Sequence, residues 1–333
     1  MLLSASMSPV RAASSEAELA RLYEFVESGY RQRTLPMRLR VAVSRRVRSL
    51  LGVSSPEPYE IDRASAPDPM AAVYLPNAAD FFVPVTWCRN VSLFGFGPGA
   101  FDAWEATARQ IAATPDVAAS DTVLARFLER FVPTTAAERL FFDPARDASP
   151  GSKLHDISAL DTMYFWPWAT AVRRWPAKAP EELRLRSHGP VGERIVELEV
   201  WRLKRLVASV KENGYRPRRV DGIRGQLLAA NGEMRFLIKS GFHRVAVLAA
   251  LGHDEVPVRF ANGFQRLKTL DQLPTWPLVR EGVFTPREAE LVVERLFTED
   301  GSLMAARLGF EPHPAGEAPP PAPRERPVPQ PVG

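Results

Sequence analysis

Residues 239–244 read Lys-Ser-Gly-Phe-His-Arg and combine side chains that hold anions with a glycine. The run follows Phe236-Leu237-Ile238 and precedes Val245-Ala246-Val247-Leu248. A strand that stops at Gly241 and turns into a helix leaves unpaired N–H groups at the helix start. The positive end of the helix dipole favours negative charge there. Arg244 adds a permanent charge that grips phosphate or carboxylate with two donors. His243 adds a donor whose charge switches near neutral pH. Lys239 and Ser240 sit at the strand end. The expected phosphate-binding set is therefore Lys239, Ser240, Gly241, His243 and Arg244. The competing reading pairs Arg244 with a carboxylate of the chain itself and lets His243 simply pack.

Two other residues could act on a bound phosphate. His188 lies in the loop Ser187-His188-Gly189-Pro190, and Glu193 follows five positions later. They are the candidates for a catalytic base or an orienting group. Phe94-Gly95-Phe96-Gly97-Pro98-Gly99 precedes a helical stretch, but its spacing matches neither the dinucleotide nor the P-loop pattern, so a plain turn is expected. Tyr164, Phe165, Trp166, Trp168 and Trp175 crowd one segment. Such a cluster packs a core or forms a platform for a sugar or a base. No metal-binding set of side chains is assigned.

The elements that would position these residues follow from periodicity. Val196, Val200, Leu203, Leu206, Val207 and Val210 recur at helical spacing, which predicts a helix over 193–213 with Gly214 as its cap. Asn231-Gly232 between apolar runs predicts a hairpin. Helices are expected over 242–251, 101–113, 121–132, 136–142, 264–273 and 286–297. Strands are expected at 183–186, within 81–87, and at 256–260. Ser15 is placed to cap a helix over 15–30. Arg31, Arg33, Arg38, Arg40, Arg45, Arg46 and Arg48 alternate with apolar residues. As a helix that stretch would be solvated, or would meet an anionic membrane surface or an acidic partner.

The chain has 333 residues, 45% of them hydrophobic and 25% charged, with a net charge of +4. These values predict a soluble globular protein of more than one domain. The excess of positive charge is too small to predict nucleic acid as a partner. A single cysteine, Cys88, excludes a disulfide within the chain and fits a reducing compartment. No apolar run reaches membrane-spanning length. A cytoplasmic protein is expected, peripheral to the membrane if Arg31–Arg48 binds lipid. The expected organisation is a basic helical segment (1–52), an α/β region (70–176), a small α/β domain (178–262), a helical extension (263–310) and a proline-rich tail (311–333).

Within the third of these segments, Arg205-Leu206-Val207-Ala208-Ser209-Val210, Phe236-Leu237-Ile238, Gly241-Phe242-His243-Arg244-Val245-Ala246, Leu251-Gly252 and Val256-Pro257-Val258 form a series. It resembles the ParB N-terminal domain and sulfiredoxin superfamily over residues 180–262. The resemblance implies an α+β fold, a small mixed sheet with flanking helices, here preceded by a mainly helical region. It also implies a nucleoside di- or triphosphate with Mg²⁺, its phosphates held by Ser240, Gly241, His243 and Arg244. Members include reductases of oxidised peroxiredoxin, free-serine kinases and DNA-segregation clamps, and some were labelled nucleases. Phe242 stands where sulfiredoxin has its cysteine. His188-Gly189 stands where the serine kinases carry a His-Glu pair. Residues 263–310 show no recognition helix.

Two readings follow. One is a nucleotide-dependent phosphotransferase or hydrolase using His188 or Glu193. The other is a regulatory or membrane-peripheral binding module without turnover, in a setting such as surface-polysaccharide synthesis. DNA binding or cleavage ranks below both.

Overall fold

The computed structural model describes residues 15–20, 59, 61–75, 80–143, 146–147, 149–162, 165–170, 187–217 and 222–311. The basic stretch Arg31–Arg48, the strand expected at 183–186, Tyr164, Trp175 and the proline-rich run from Pro312 lie outside the described residues.

The centre is a mixed, six-stranded sheet. Its strands are β1 (Phe81–Pro84), β2 (Cys88–Arg89), β3 (Ile223–Ala230), β4 (Glu233–Ser240), β5 (Glu255–Phe260) and β6 (Leu267–Thr269). They lie in the order β1-β5-β3-β4-β2, and β6 pairs with the second half of β3. β3 and β4 are antiparallel about Asn231 and Gly232, whose φ values of 51° and 79° make the tight hairpin that the dipeptide predicts. β5 runs parallel to β3, and β2 parallel to β4. The strands from 70–176 and those from 178–262 thus share one sheet. An α+β fold with a mixed sheet is what the chain adopts.

Helices flank that sheet. They are α1 (Pro69–Tyr74), α2 (Ala103–Ala113), α3 (Val123–Arg130), α4 (Ala136–Arg139), α5 (Glu193–Asn213), α6 (Phe242–Ala250), α7 (Pro277–Arg280), α8 (Pro286–Thr298) and α9 (Ser302–Arg307). Alternation along the strands sends Ile223, Leu227, Phe236 and Ile238 to one face, where they pack with Trp104 of α2, Leu203 and Val207 of α5, and Val245 and Ala246 of α6. Leu228 and Leu237 point the other way and pack with Trp166, Trp168, Trp276 and with Val292 and Leu296 of α8. The sheet therefore separates two cores.

Helix ends follow the sequence signals. Ser15 Oγ accepts from Glu18 N–H while Glu18 reaches back to Ser15 N–H. Thr285 and Glu288 close the same box at α8. Gly214 ends α5 with φ 68° and donates to Val210 O at 2.9 Å. One expectation fails. Residues 264–273 form no α-helix, but a turn, then β6, then a 3₁₀ segment over Leu270–Thr275. Arg266 O accepts from Leu227 N–H at 2.8 Å, so pairing with β3 outweighs local helical periodicity.

Gly225 is a test of how tightly the hairpin packs. A Cβ there would lie 2.3 Å from Leu237 O and 2.7 Å from the Phe236 ring. Gly225→Ala should lower stability by about 1–3 kcal/mol, read by chemical denaturation. An unchanged midpoint would mean that the strands separate there at no cost.

Candidate functional site

β4 ends at Ser240 and α6 begins at Phe242, with Gly241 between them at φ 88°. A Cβ on Gly241 would come 3.0 Å from Ile223 Cα, so the turn needs glycine both for its dihedral and for space. No side chain caps α6. Its bonding starts when Gly241 O accepts from Arg244 N–H at 2.9 Å and from Val245 N–H at 3.2 Å. The Phe242 N–H makes no hydrogen bond with the described residues. Ser240 is exposed, and Gly241 and Arg244 are half-buried. Among the described residues Arg244 forms no ion pair. Its charge lies near Tyr215, whose hydroxyl is pushed up to about 12 by burial, with Arg244 opposing the shift.

His243 has a different place. Its Nε2 lies 2.5 Å from Glu199 Oε2, on the neighbouring helix α5. Glu199 is buried, and its Oε2 also accepts from Trp104 Nε1–H of α2 at 3.0 Å. Its other oxygen accepts from Arg202 Nη1 at 2.9 Å. Phe242 packs edge-on against Trp104, with ring centroids 5.2 Å apart. One carboxylate thus ties α2, α5 and α6 together below the turn. Sequence reasoning missed Glu199. The signal was present, since Glu199 sits three after Val196 and four before Leu203, on the apolar stripe of its helix.

Lys239 also departs from the group. The register shifts between Arg224 and Gly225, so that Lys239 is the extra residue of a β-bulge. Its ammonium lies 5.1 Å from the Phe264 ring centroid and 5.9 Å from that of Trp166. Trp166 is on the sheet face opposite α6. Of the five expected phosphate contacts, the structure groups Ser240, Gly241 and Arg244 around one helix start. It engages His243 with Glu199 and sends Lys239 to the other face.

The two expected catalytic residues lie on other elements than that turn. His188 is 2% exposed, edge-on to Phe131, with Nδ1 3.1 Å from Gly189 O. Gly189 N–H donates to Phe131 O at 2.7 Å, and a Cβ on Gly189 would sit 1.6 Å from Leu128 O. The loop is sealed onto the end of α3. Burial, reinforced by the Arg139 charge, pulls the His188 pKa down to about 4. Glu193 is exposed at the first residue of α5. At 1.5 Å per residue it lies about 9 Å along the helix from Glu199.

The glycine-rich turn at 94–99 spends its amides internally. Gly97 N–H donates to Glu105 Oε2 at 2.9 Å, and Gly95 N–H to Asp300 O at 3.1 Å. Asp102 caps α2 from within the core and also accepts from Asn90 Nδ2 at 2.7 Å. Burial raises its pKa to about 7. Trp166 and Trp168 are buried and parallel, and Trp168 meets Trp276 edge-on. Among the described residues no group of three or more His, Cys, Asp or Glu could hold a metal ion, and no helix is long and apolar enough to cross a membrane.

No family model matches the chain, and no curated protein or solved structure matches it.

Glu199→Ala leaves Trp104, Arg202 and His243 without their shared acceptor. It should cost about 3–5 kcal/mol in denaturant unfolding, with Glu199→Gln costing less. His188 gives a pH signature. Its folded pKa lies below the ordinary 6.5, so the unfolded chain takes up a proton first as pH falls. The stability present above pH 6.5 should then decline towards pH 4, by up to about 3 kcal/mol from this residue. Urea midpoints of His188→Gln should be flatter over that window than those of the unaltered chain. Parallel curves would assign the decline to other groups.

Proposed function

We propose that this chain binds a phosphate-bearing ligand, a nucleoside di- or triphosphate in the first place, at the start of α6. The observation that carries this reading is an uncapped, glycine-led helix start beside an arginine with no ion pair among the described residues. Backbone N–H groups and the helix dipole favour an anion at that point. Arg244 supplies the only described cationic side chain in the first turn of α6. Ser240 is exposed next to it and can donate from its hydroxyl. The ParB- and sulfiredoxin-like series over 180–262 supports a nucleotide as the class of ligand.

Binding without turnover fits the side chains better than phosphotransfer. His188 is sealed under α3 and held neutral, so it has no path to a substrate proton. Glu193 is exposed at the first residue of α5, about 9 Å along the helix from the Glu199 that holds His243. Mg²⁺ accompanying the nucleotide would be held by phosphate oxygens and water, because the turn from Lys239 to Arg244 contains no carboxylate. His243 then acts through structure: its bond to Glu199 fixes the first turn of α6 against α5.

Calorimetric titration of the full chain with ATP, ADP, CTP and GTP, each with Mg²⁺ at low salt, tests the reading. At least one should bind, and Arg244→Ala should weaken it by tenfold or more, the loss of one charge-assisted contact of about 1.5–3 kcal/mol. The melting temperature of the free variant should not move. No heat with any of the four, or equal affinity in Arg244→Ala, would remove the proposal.

A further inference from the structure

A groove of about 390 Å³ lies beside β1, at one end of the strand order. Its apolar wall is Phe82, Pro84, Trp87, Pro67 and Pro69. Phe82 and Pro84 alternate with the buried Phe81 and Val83, so they face the groove and not the core. Trp87 is half-buried, and its Nε1–H makes no hydrogen bond with the described residues. Three prolines hold the wall in place at little cost in entropy.

The rim carries charge. Arg63 Nε and Nη2 donate to Glu255 Oε2 and Oε1 at 2.9 and 3.0 Å, and the guanidinium lies 4.8 Å from the Phe82 ring centroid. Asp68 opens α1, its Oδ1 accepting from Met70 N–H at 2.8 Å and Ala71 N–H at 3.4 Å. Its Oδ2 makes no hydrogen bond with the described residues. Two carboxylates against one guanidinium leave the groove net negative.

The same chain holds a segment of matching chemistry, Pro319-Pro320-Pro321-Ala322-Pro323-Arg324-Glu325-Arg326-Pro327. Such a run favours the polyproline II helix, whose carbonyls stay unbonded and can accept from a donor such as an indole N–H. With about three residues per turn, Pro320, Pro323 and Arg326 share one edge. Two arginines against one glutamate make the run net positive. Aromatic-lined grooves take a polyproline edge by apolar contact, and a carboxylate fixes an arginine on it.

The run also starts close by. Phe310 stacks on Phe101 with ring centroids 5.4 Å apart. In the turn just before Phe101, a Cβ on Gly97 would lie 3.0 Å from Val85 and 3.5 Å from Thr86, the residues that precede Trp87. Pro319 is nine positions past Phe310. That length of extended chain spans about 28 Å. On such a tether the effective concentration is on the order of millimolar, so a weak contact suffices.

From this we infer that the groove takes the chain's own proline-rich tail, with Pro320 and Pro323 against Phe82 and Trp87 and with Arg326 at Asp68. Nothing in this depends on a ligand at the start of α6.

Fluorine NMR of the full chain carrying fluorotryptophan tests it. Cys88 is buried, so a cysteine introduced by Ala318→Cys takes a spin label alone. The Trp87 resonance, identified by its absence in Trp87→Phe, should lose most of its intensity, and those of Trp166, Trp168 and Trp276 should lose less. Pro320→Ala with Pro323→Ala, which leaves the folded core unaltered, should restore the Trp87 signal. An excess of free peptide of residues 317–329 should restore it as well. An unchanged Trp87 signal under the label, or an equal loss in the double variant, overturns the proposal. A loss that disappears on dilution overturns it too, because the tail would then come from a second copy.

Discussion

The arrangement of the helical layer depends on one buried carboxylate. Glu199 lies inside the apolar stripe of α5, where an ionised group is unfavourable unless it is fully bonded. It is bonded, by an indole from α2, a guanidinium one turn along its own helix and an imidazole from α6. Each donor comes from a different direction, so the carboxylate fixes spacing as well as charge. The first turn of α6 cannot rotate without breaking the His243 contact. The direction in which Arg244 and the helix N–H groups point is set from below, by a residue that touches no ligand.

The two faces of the sheet solve the burial of polar groups in opposite ways. On the α5–α6 face, buried acids are bonded into the frame: Glu199 as above, Asp102 as the cap of α2, and Glu105 bonded to Gly97 N–H and Arg109. On the other face, Gln226 and the indoles of Trp166, Trp168 and Trp276 stay unbonded. The same contrast explains Arg89. It is buried near that second layer, donates only to backbone oxygens of Thr86, Cys88 and Leu296, and burial lowers its pKa to about 10. A carbonyl cage satisfies a cation's donors and leaves its charge unneutralised.

Much of the frame was legible because it follows local rules. Asn231-Gly232 dictates its hairpin, Gly214 its helix end, and the stripe from Val196 to Val210 its helix over 193–213. Gly241 was legible as a strand-to-helix turn because a glycine between two apolar runs has few other uses. What escaped depends on partners distant in sequence. Glu199 looks like any helix glutamate until Trp104 is 3.0 Å away. Lys239 looks like a neighbour of Arg244, but it follows Leu237 by two and shares its face, near Trp166. His188 appears available until Leu128 and Phe131 close over its loop. The helix expected over 264–273 gave way to β6 because the open edge of β3 offered backbone partners. Apart from Lys239, a tertiary contact settles in these cases what spacing leaves open.

The loss of His243 and Lys239 from the start of α6 also constrains what can bind there. The remaining attraction for a bare phosphate is a helix dipole worth about 0.3–1 kcal/mol and a bidentate arginine contact worth about 1.5–3 kcal/mol. Together they approach about 4 kcal/mol, which corresponds to a dissociation constant near millimolar. Phosphate alone is therefore held weakly at this turn. Any ligand bound tightly must gain the rest from the part that is not phosphate, by burying a ring or pairing polar groups on the protein around Ser240 and Tyr215. The turn can anchor and orient a ligand, and selectivity among phosphate esters has to come from the surface beyond it.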